Sequence, residues 1–87
     1  MAYAIELRPR ARRAFSKLSH EAKTRVQLAI NKLADTPRPP GFKQLRGNPS
    51  LLRIRTGNYR VIYQVFDDRL VIVVVDLGHR QGAYKNL

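Results

Sequence analysis

The sequence contains no cysteine, so disulfides and thiolate metal sites are excluded. Acidic residues are scarce: 6 Asp and Glu stand against 17 Lys and Arg, a formal net charge of +11. Those acids are scattered and there are only two histidines, so no metal site and no cofactor is expected. No long hydrophobic run is present either. The longest, Leu70 to Val75, is far too short to span a bilayer. The opening MAYAIELRPR lacks a basic segment followed by an apolar one, so no secretory signal is read there. The expected location is the cytoplasm. Repeats, low-complexity tracts and linkers are absent, and 87 residues predict a single domain, 1–87.

What is present is positive charge on a foldable chain. A hydrophobic fraction of 44% supports a globular core and argues against disorder. The charge excess creates a long-range field that attracts polyanions: nucleic acid, an acidic protein or an anionic membrane surface. Arginine outnumbers lysine 12 to 5. Its planar fork of donors suits phosphate, where lysine acts as a point charge, so phosphate contact is favoured.

Tyr3, Ile5 and Leu7 alternate with Ala4 and Glu6 and predict a short strand. Pro9 suits the first turn of a helix carrying Ala11, Ala14, Phe15 and Leu18 on one side and basic residues on the other. Ser19 is the expected N-cap of a second helix, with Glu21 in its first turn and an apolar stripe of Ala22, Val26, Ala29, Ile30 and Leu33. DTPRPPGFK ends it in a stiff loop. KQLRG offers a brief strand; LLRIRT and YRVIYQVF form a hairpin across Gly57 and Asn58. LVIVVVDL, apolar on both faces, reads as a covered strand that Gly78 breaks, before an irregular polar tail. The fold class is α+β: a helical hairpin packed on one face of a mainly antiparallel sheet.

A two-residue loop sets the hairpin register. Arg55 then faces Arg60, and Arg53 faces Ile62, while Leu52, Ile54, Val61 and Tyr63 point to the helices. Arg53, Arg55 and Arg60 project from the opposite face. Like charges directly opposed on a sheet are destabilising, and nothing nearby in sequence offsets them. Local rules tend to be broken at functional sites, so this face is read as an anion site; the plainer alternative is a solvated sheet face. The last strand runs back toward the same end, which brings His79, Arg80 and Tyr84 toward the arginines. Such a cluster stabilises charge on a phosphate and holds a ribose-phosphate backbone. RNA carries its own nucleophile, the 2′-hydroxyl, so its cleavage needs no metal. The base is open among His79, Tyr84 and Asp76, because arginine keeps its proton. His20, at a helix start, reads as surface.

KQLRGNPSLLRIRTGNYRVIYQV followed by VVVDLGHRQGAY resembles the RelE branch of the RelE/ParE toxin superfamily, the toxin halves of prokaryotic toxin–antitoxin pairs. The likeness spans essentially the whole chain; the hairpin and the closing GHR…Y are its specific parts. It implies a strongly twisted RelE-like sheet and an endoribonuclease that enters the ribosomal A site and cuts mRNA by in-line 2′-hydroxyl attack, inhibiting translation. Arg53 and Arg55 match two basic strand positions, Arg60 the arginine at the transition-state phosphate, Arg80 the arginine at the leaving group or phosphate, and Tyr84 the tail tyrosine. The best-studied pattern has lysines at the two strand positions, so a base role there passes into question, and His79 is a candidate to take over proton transfer.

The resemblance also implies a cognate antitoxin whose acidic residues offset the positive charge, with operator DNA reached only through that antitoxin, and with ribosome and mRNA as targets. Two other readings stay open: a ParE-like inhibitor of DNA gyrase, and a catalytically weak RNA-binding protein.

Overall fold

The computed structural model describes residues 2–79. The chain order is β1 (Ala4–Leu7), α1 (Pro9–Ser16), α2 (His20–Leu33), β2 (Lys43–Leu45), β3 (Asn48–Thr56), β4 (Tyr59–Phe66) and β5 (Val71–His79). The strands form one sheet in the order β1-β5-β4-β3-β2. β1 runs parallel to β5, and every other pairing is antiparallel. The α+β class and the mainly antiparallel sheet expected from the sequence are what the structure has.

Local chemistry accounts for the helices. Pro9 opens α1, where its missing N–H removes no helical bond. The Ser19 hydroxyl accepts from the Ala22 N–H at 3.2 Å and caps α2. Ala11 of α1 and Val26, Ile30 and Leu33 of α2 pack on Leu52, Ile54, Val61, Tyr63, Ile72, Val74 and Leu77. This is the core, and it lies on one side of the sheet.

The proline-rich loop after α2 is tied down at the far end of the molecule. The Tyr63 hydroxyl donates to the Pro37 carbonyl at 2.7 Å. Arg38 grips Asp67 with both terminal nitrogens, at 2.9 and 3.3 Å, and the Tyr3 hydroxyl donates to the same carboxylate at 2.6 Å.

Two features of the strands differ from the sequence reading. Gly78 does not end β5, which continues to His79. Pairing to β4 accommodates it: Arg60 faces Gly78 and Tyr59 faces His79. The second feature is a bulge. Tyr63 pairs with Val74 but Ile62 pairs with Asp76, so Val75 is the extra residue. Without it, alternation would turn Asp76 into the helix-side core and set Leu77 beside Arg60. With it, Leu77 joins the core and a glycine sits beside Arg60.

Candidate functional site: a cationic sheet face

The hairpin register is the one the two-residue loop predicts: Thr56 opposite Tyr59, Arg55 opposite Arg60, Ile54 opposite Val61, Arg53 opposite Ile62. Gly57 adopts φ +60 while Asn58 does not have a positive φ, the pattern of a type II′ turn, whose twist suits a hairpin. Two rows of side chains therefore cross the face opposite the helices. One runs Lys43, Arg53, Ile62, Asp76; the other runs Arg55, Arg60, Gly78.

The rows differ in depth. Arg53 is 7% exposed, Ile62 0% and Asp76 4%, whereas Arg55 is exposed and Arg60 half-buried. Arg53 was expected to project from an open face, and the structure instead sinks it beside buried Ile62. The Nε atoms of Arg53 and Arg60 are both shielded from solvent. Arg55 is the more exposed of the opposed pair, and the β5 residue that pairs with Arg60 is a glycine.

Asp76 ends the first row. Its Oδ2 lies 3.2 Å from Arg10 Nε of α1, and its Oδ1 accepts the Leu77 N–H at 2.9 Å. Burial pushes this carboxyl above the ordinary aspartate range, opposed by the Leu77 bond and the Arg10 charge. Its ion partner is thus Arg10 of α1, which belongs to neither row.

His79 does not join the arginines on their face. It pairs with Tyr59, and the two rings meet edge to face with centroids 5.9 Å apart and planes at 78°. Tyr59 packs against the helix-side core, so His79 lies on that side of the sheet, exposed at the end of β5. The reason is parity: His79 is one residue beyond Gly78, and neighbours on a strand face opposite ways. Arg80 and Tyr84 lie outside the described residues. Two further cations were missed from sequence. Lys43 faces Arg53 directly across β2 and β3, and Arg46 shares a cavity with both. Recognising them required the pairing of a three-residue strand too short to carry a periodic signal.

The larger of two cavities near the arginines, about 800 Å³, runs between α2 and β3 and includes Arg25, Leu28, Lys32, Ile54 and Arg55. Leu28 is 57% exposed there. The smaller, about 310 Å³, opens beside β2 and is lined by Lys43, Gln44, Leu45, Arg46, Asn48, Leu51 and Arg53. Among the described residues, no group of three or more His, Cys, Asp or Glu is placed to hold a metal ion. No helix among them is long and apolar enough to cross a membrane.

A helical hairpin on one side of this five-stranded sheet, with arginines on the other, defines a RelE-like toxin. Solved structures share the architecture: the RelBE2 toxin–antitoxin complex of Mycobacterium tuberculosis superposes with a TM-score of 0.80 at 27% identity, over 92% of this chain and 100% of that one. The intact Escherichia coli RelBE complex gives 0.77 at 29% identity, over 90% and 96%. In sequence, the family model described as ParE toxin of type II toxin-antitoxin system, parDE, matches residues 5–84, and the chain belongs to that family. The mRNA interferase toxin RelE of Escherichia coli K12 is 30% identical over 85 residues, covering 95% of this chain and 88% of the relative.

Proposed function

We propose that this toxin is a ribosome-dependent mRNA endoribonuclease. The observation that carries the reading is the directly opposed Arg55–Arg60 pair, with Gly78 paired to Arg60 on β5: two cationic residues of one sheet face meet at a position where the neighbouring strand carries no side chain. Opposed like charges cost a fold on the order of 0.2–1 kcal/mol, which a bound phosphodiester reverses. The relative's name, mRNA interferase, supports RNA as that ligand.

In the reaction the 2′-oxygen attacks the adjacent phosphorus in line, losing its proton as the new P–O bond forms. The bond to the 5′-oxygen breaks and that oxygen takes up a proton, leaving a 2′,3′-cyclic phosphate. The negative charge that builds on the phosphoryl oxygens is met by Arg60 and Arg55, fixed donors that need no rearrangement. Arg53, buried behind them, holds the field positive. Arg80 and Tyr84 are proposed for the leaving group and for orienting the RNA, as the resemblance implies. His79 is proposed for proton transfer, although its ring packs on Tyr59 at the helix side of the sheet, so the role requires it to leave that contact. The nucleophile belongs to the RNA, so the chemistry proposed needs no metal.

The complexes of the relatives make an antitoxin the proposed protein partner. The α2–β3 groove, apolar at Leu28 and Ile54 and rimmed by Arg25, Lys32 and Arg55, suits a segment with apolar anchors and acidic flanks.

The test is cell-free translation with purified protein and mapping of mRNA 5′ ends. Cuts at A-site codons, absent without ribosomes and reduced roughly 10²- to 10³-fold in Arg60→Ala, are expected. Translation unaffected and no cuts would overturn the reading and direct attention to gyrase supercoiling, which the ParE family description keeps in view. For His79, the expected result is that His79→Gln lowers the cutting rate roughly 10²-fold, the scale of a lost acid–base group. An unchanged rate removes His79 from the chemistry.

A further inference from the structure

The 310 Å³ cavity beside β2 lies outside the Arg55–Arg60 pair, yet it belongs to the same sheet face. Its cations come from two elements. Lys43 stands directly opposite Arg53, a second like-charge pair on this face, and Arg46 reaches in from the turn before β3. Gly47, at φ +83, makes that turn tight. The register break between Gln44 and Leu45 places Asn48 at the cavity wall, opposite Leu45. Leu45 and Leu51 supply apolar surface for a planar ring.

The charged side chains here, Lys43, Arg46 and Arg53, are donors, Gln44 carries an amide that can donate or accept, and a chain of hydrogen bonds orients the Asn48 amide. Gln64 Nε2 donates to the Ser50 hydroxyl at 3.5 Å, and that hydroxyl donates to Asn48 Oδ1 at 2.7 Å. The Asn48 carbonyl is therefore used, and its amide hydrogens remain to be offered. Lys43 and Arg46 can only donate. A ligand that meets Lys43, Arg46 and Asn48 brings acceptors: phosphate oxygens, and a ring whose edge carries a carbonyl rather than an amino group. Along β3, Arg53 and Arg55 share a face two residues apart, about 7 Å. That step is of the order of the distance between successive phosphates on an extended single strand.

We propose that the cavity lined by Lys43, Arg46 and Asn48 is a nucleotide subsite for single-stranded RNA, one phosphate away from the Arg55–Arg60 pair, and that it prefers a keto base. It rests on the RNA-cleaving reading for its place beside the scissile phosphate. Its own content is a binding preference that exists with or without cleavage. Lys43 and Arg46 hold the backbone, and Asn48 donates to uracil O4 or guanine O6. Cytosine and adenine present amino groups at the corresponding edge and meet a donor with a donor.

The experiment uses the full chain and fluorescein-labelled RNA hexamers of uridine or cytidine, read by anisotropy in the absence of ribosomes. The two ligands differ at the base only by a carbonyl against an amino group and the linked ring proton. Wild type is expected to bind the uridine hexamer roughly fivefold more tightly, the scale of one hydrogen bond. Asn48→Ala should bring the two affinities together. Lys43→Ala combined with Arg46→Ala should weaken both hexamers about tenfold and flatten the salt dependence by roughly 1.4 in log–log slope, the release of counterions from two phosphates. Circular dichroism confirms that the variants are folded; a misfolded double variant is replaced by Arg46→Gln, expected to lose about half that slope. Equal affinity for the two hexamers in wild type, or a preference that survives Asn48→Ala, overturns the proposal. The mRNA cleavage assay is separate: cleavage without a base preference sinks this subsite alone, and a base preference without cleavage sinks the nuclease reading alone.

Discussion

Single residues on this molecule carry either charge for the site or anchorage for the frame, and Tyr63 shows the second kind. It is fully buried in the sheet, and its hydroxyl holds the proline loop through Pro37. Burial pushes its phenol up to about 12, with the Arg38 charge pulling slightly the other way. The sign of the linkage follows. Between about 10 and 12 the unfolded chain has lost this proton while the folded one keeps it, so the contribution is whole below pH 10 and drains away as pH rises toward 12. Tyr63→Phe is expected to lower stability by about 1–2 kcal/mol at pH 7, the bond and the orphaned carbonyl together, in urea unfolding. The variant's curve should also fall less steeply above pH 10. A variant as stable as wild type would show that the loop is held by other contacts.

At the scale of elements, the β3–β4 hairpin sets the arginine rows, and Gly57 sets the hairpin. A Cβ at Gly57 would meet the Arg25 guanidinium as well as a backbone at φ +60. Gly57→Ala is expected to cost about 1–2 kcal/mol, measured as a shift in urea midpoint at constant slope. This hairpin was legible residue by residue: Gly57 and Asn58 between two alternating runs leave one register, and that register pairs Arg55 with Arg60. Ser19 was legible because a hydroxyl before an amphipathic run has one local use. β5 was not. Every position from Leu70 to Val75 is apolar, so the run has no period from which to read a bulge, and Val75 shifts the parity of all that follows. That hidden residue, together with the continuation through Gly78, decides which face each of Asp76, Gly78 and His79 takes. Lys43 and Arg46 escaped notice for a related reason, since β2 has no pattern of its own and acquires meaning only from its partner strand.

For the whole molecule the governing quantity is the charge of +11. Self-repulsion of that size opposes the compact state and is screened within about 10 Å at 0.1 M salt. The urea midpoint is therefore expected to rise as sodium chloride goes from 0.05 to 0.5 M, with the slope of the unfolding line unchanged. A midpoint that falls would mean that ion pairs such as Arg38–Asp67 outweigh the repulsion.

The position of β5 sets the order in which the chain can assemble. It is the last described strand to be synthesised, yet in the sheet it lies between β1 and β4. Ala4 must wait for Val71 before the first strand has a partner. Pairings so distant along the chain form late, after the local hairpin has closed. The hairpin can therefore bring Arg55 and Arg60 together early, but the glycine that pairs with Arg60, and the Asp76 carboxylate that ends the neighbouring row, arrive only with β5. A toxin proposed to act on ribosomes is in this way kept from completing its cationic face for most of the time a ribosome is making it.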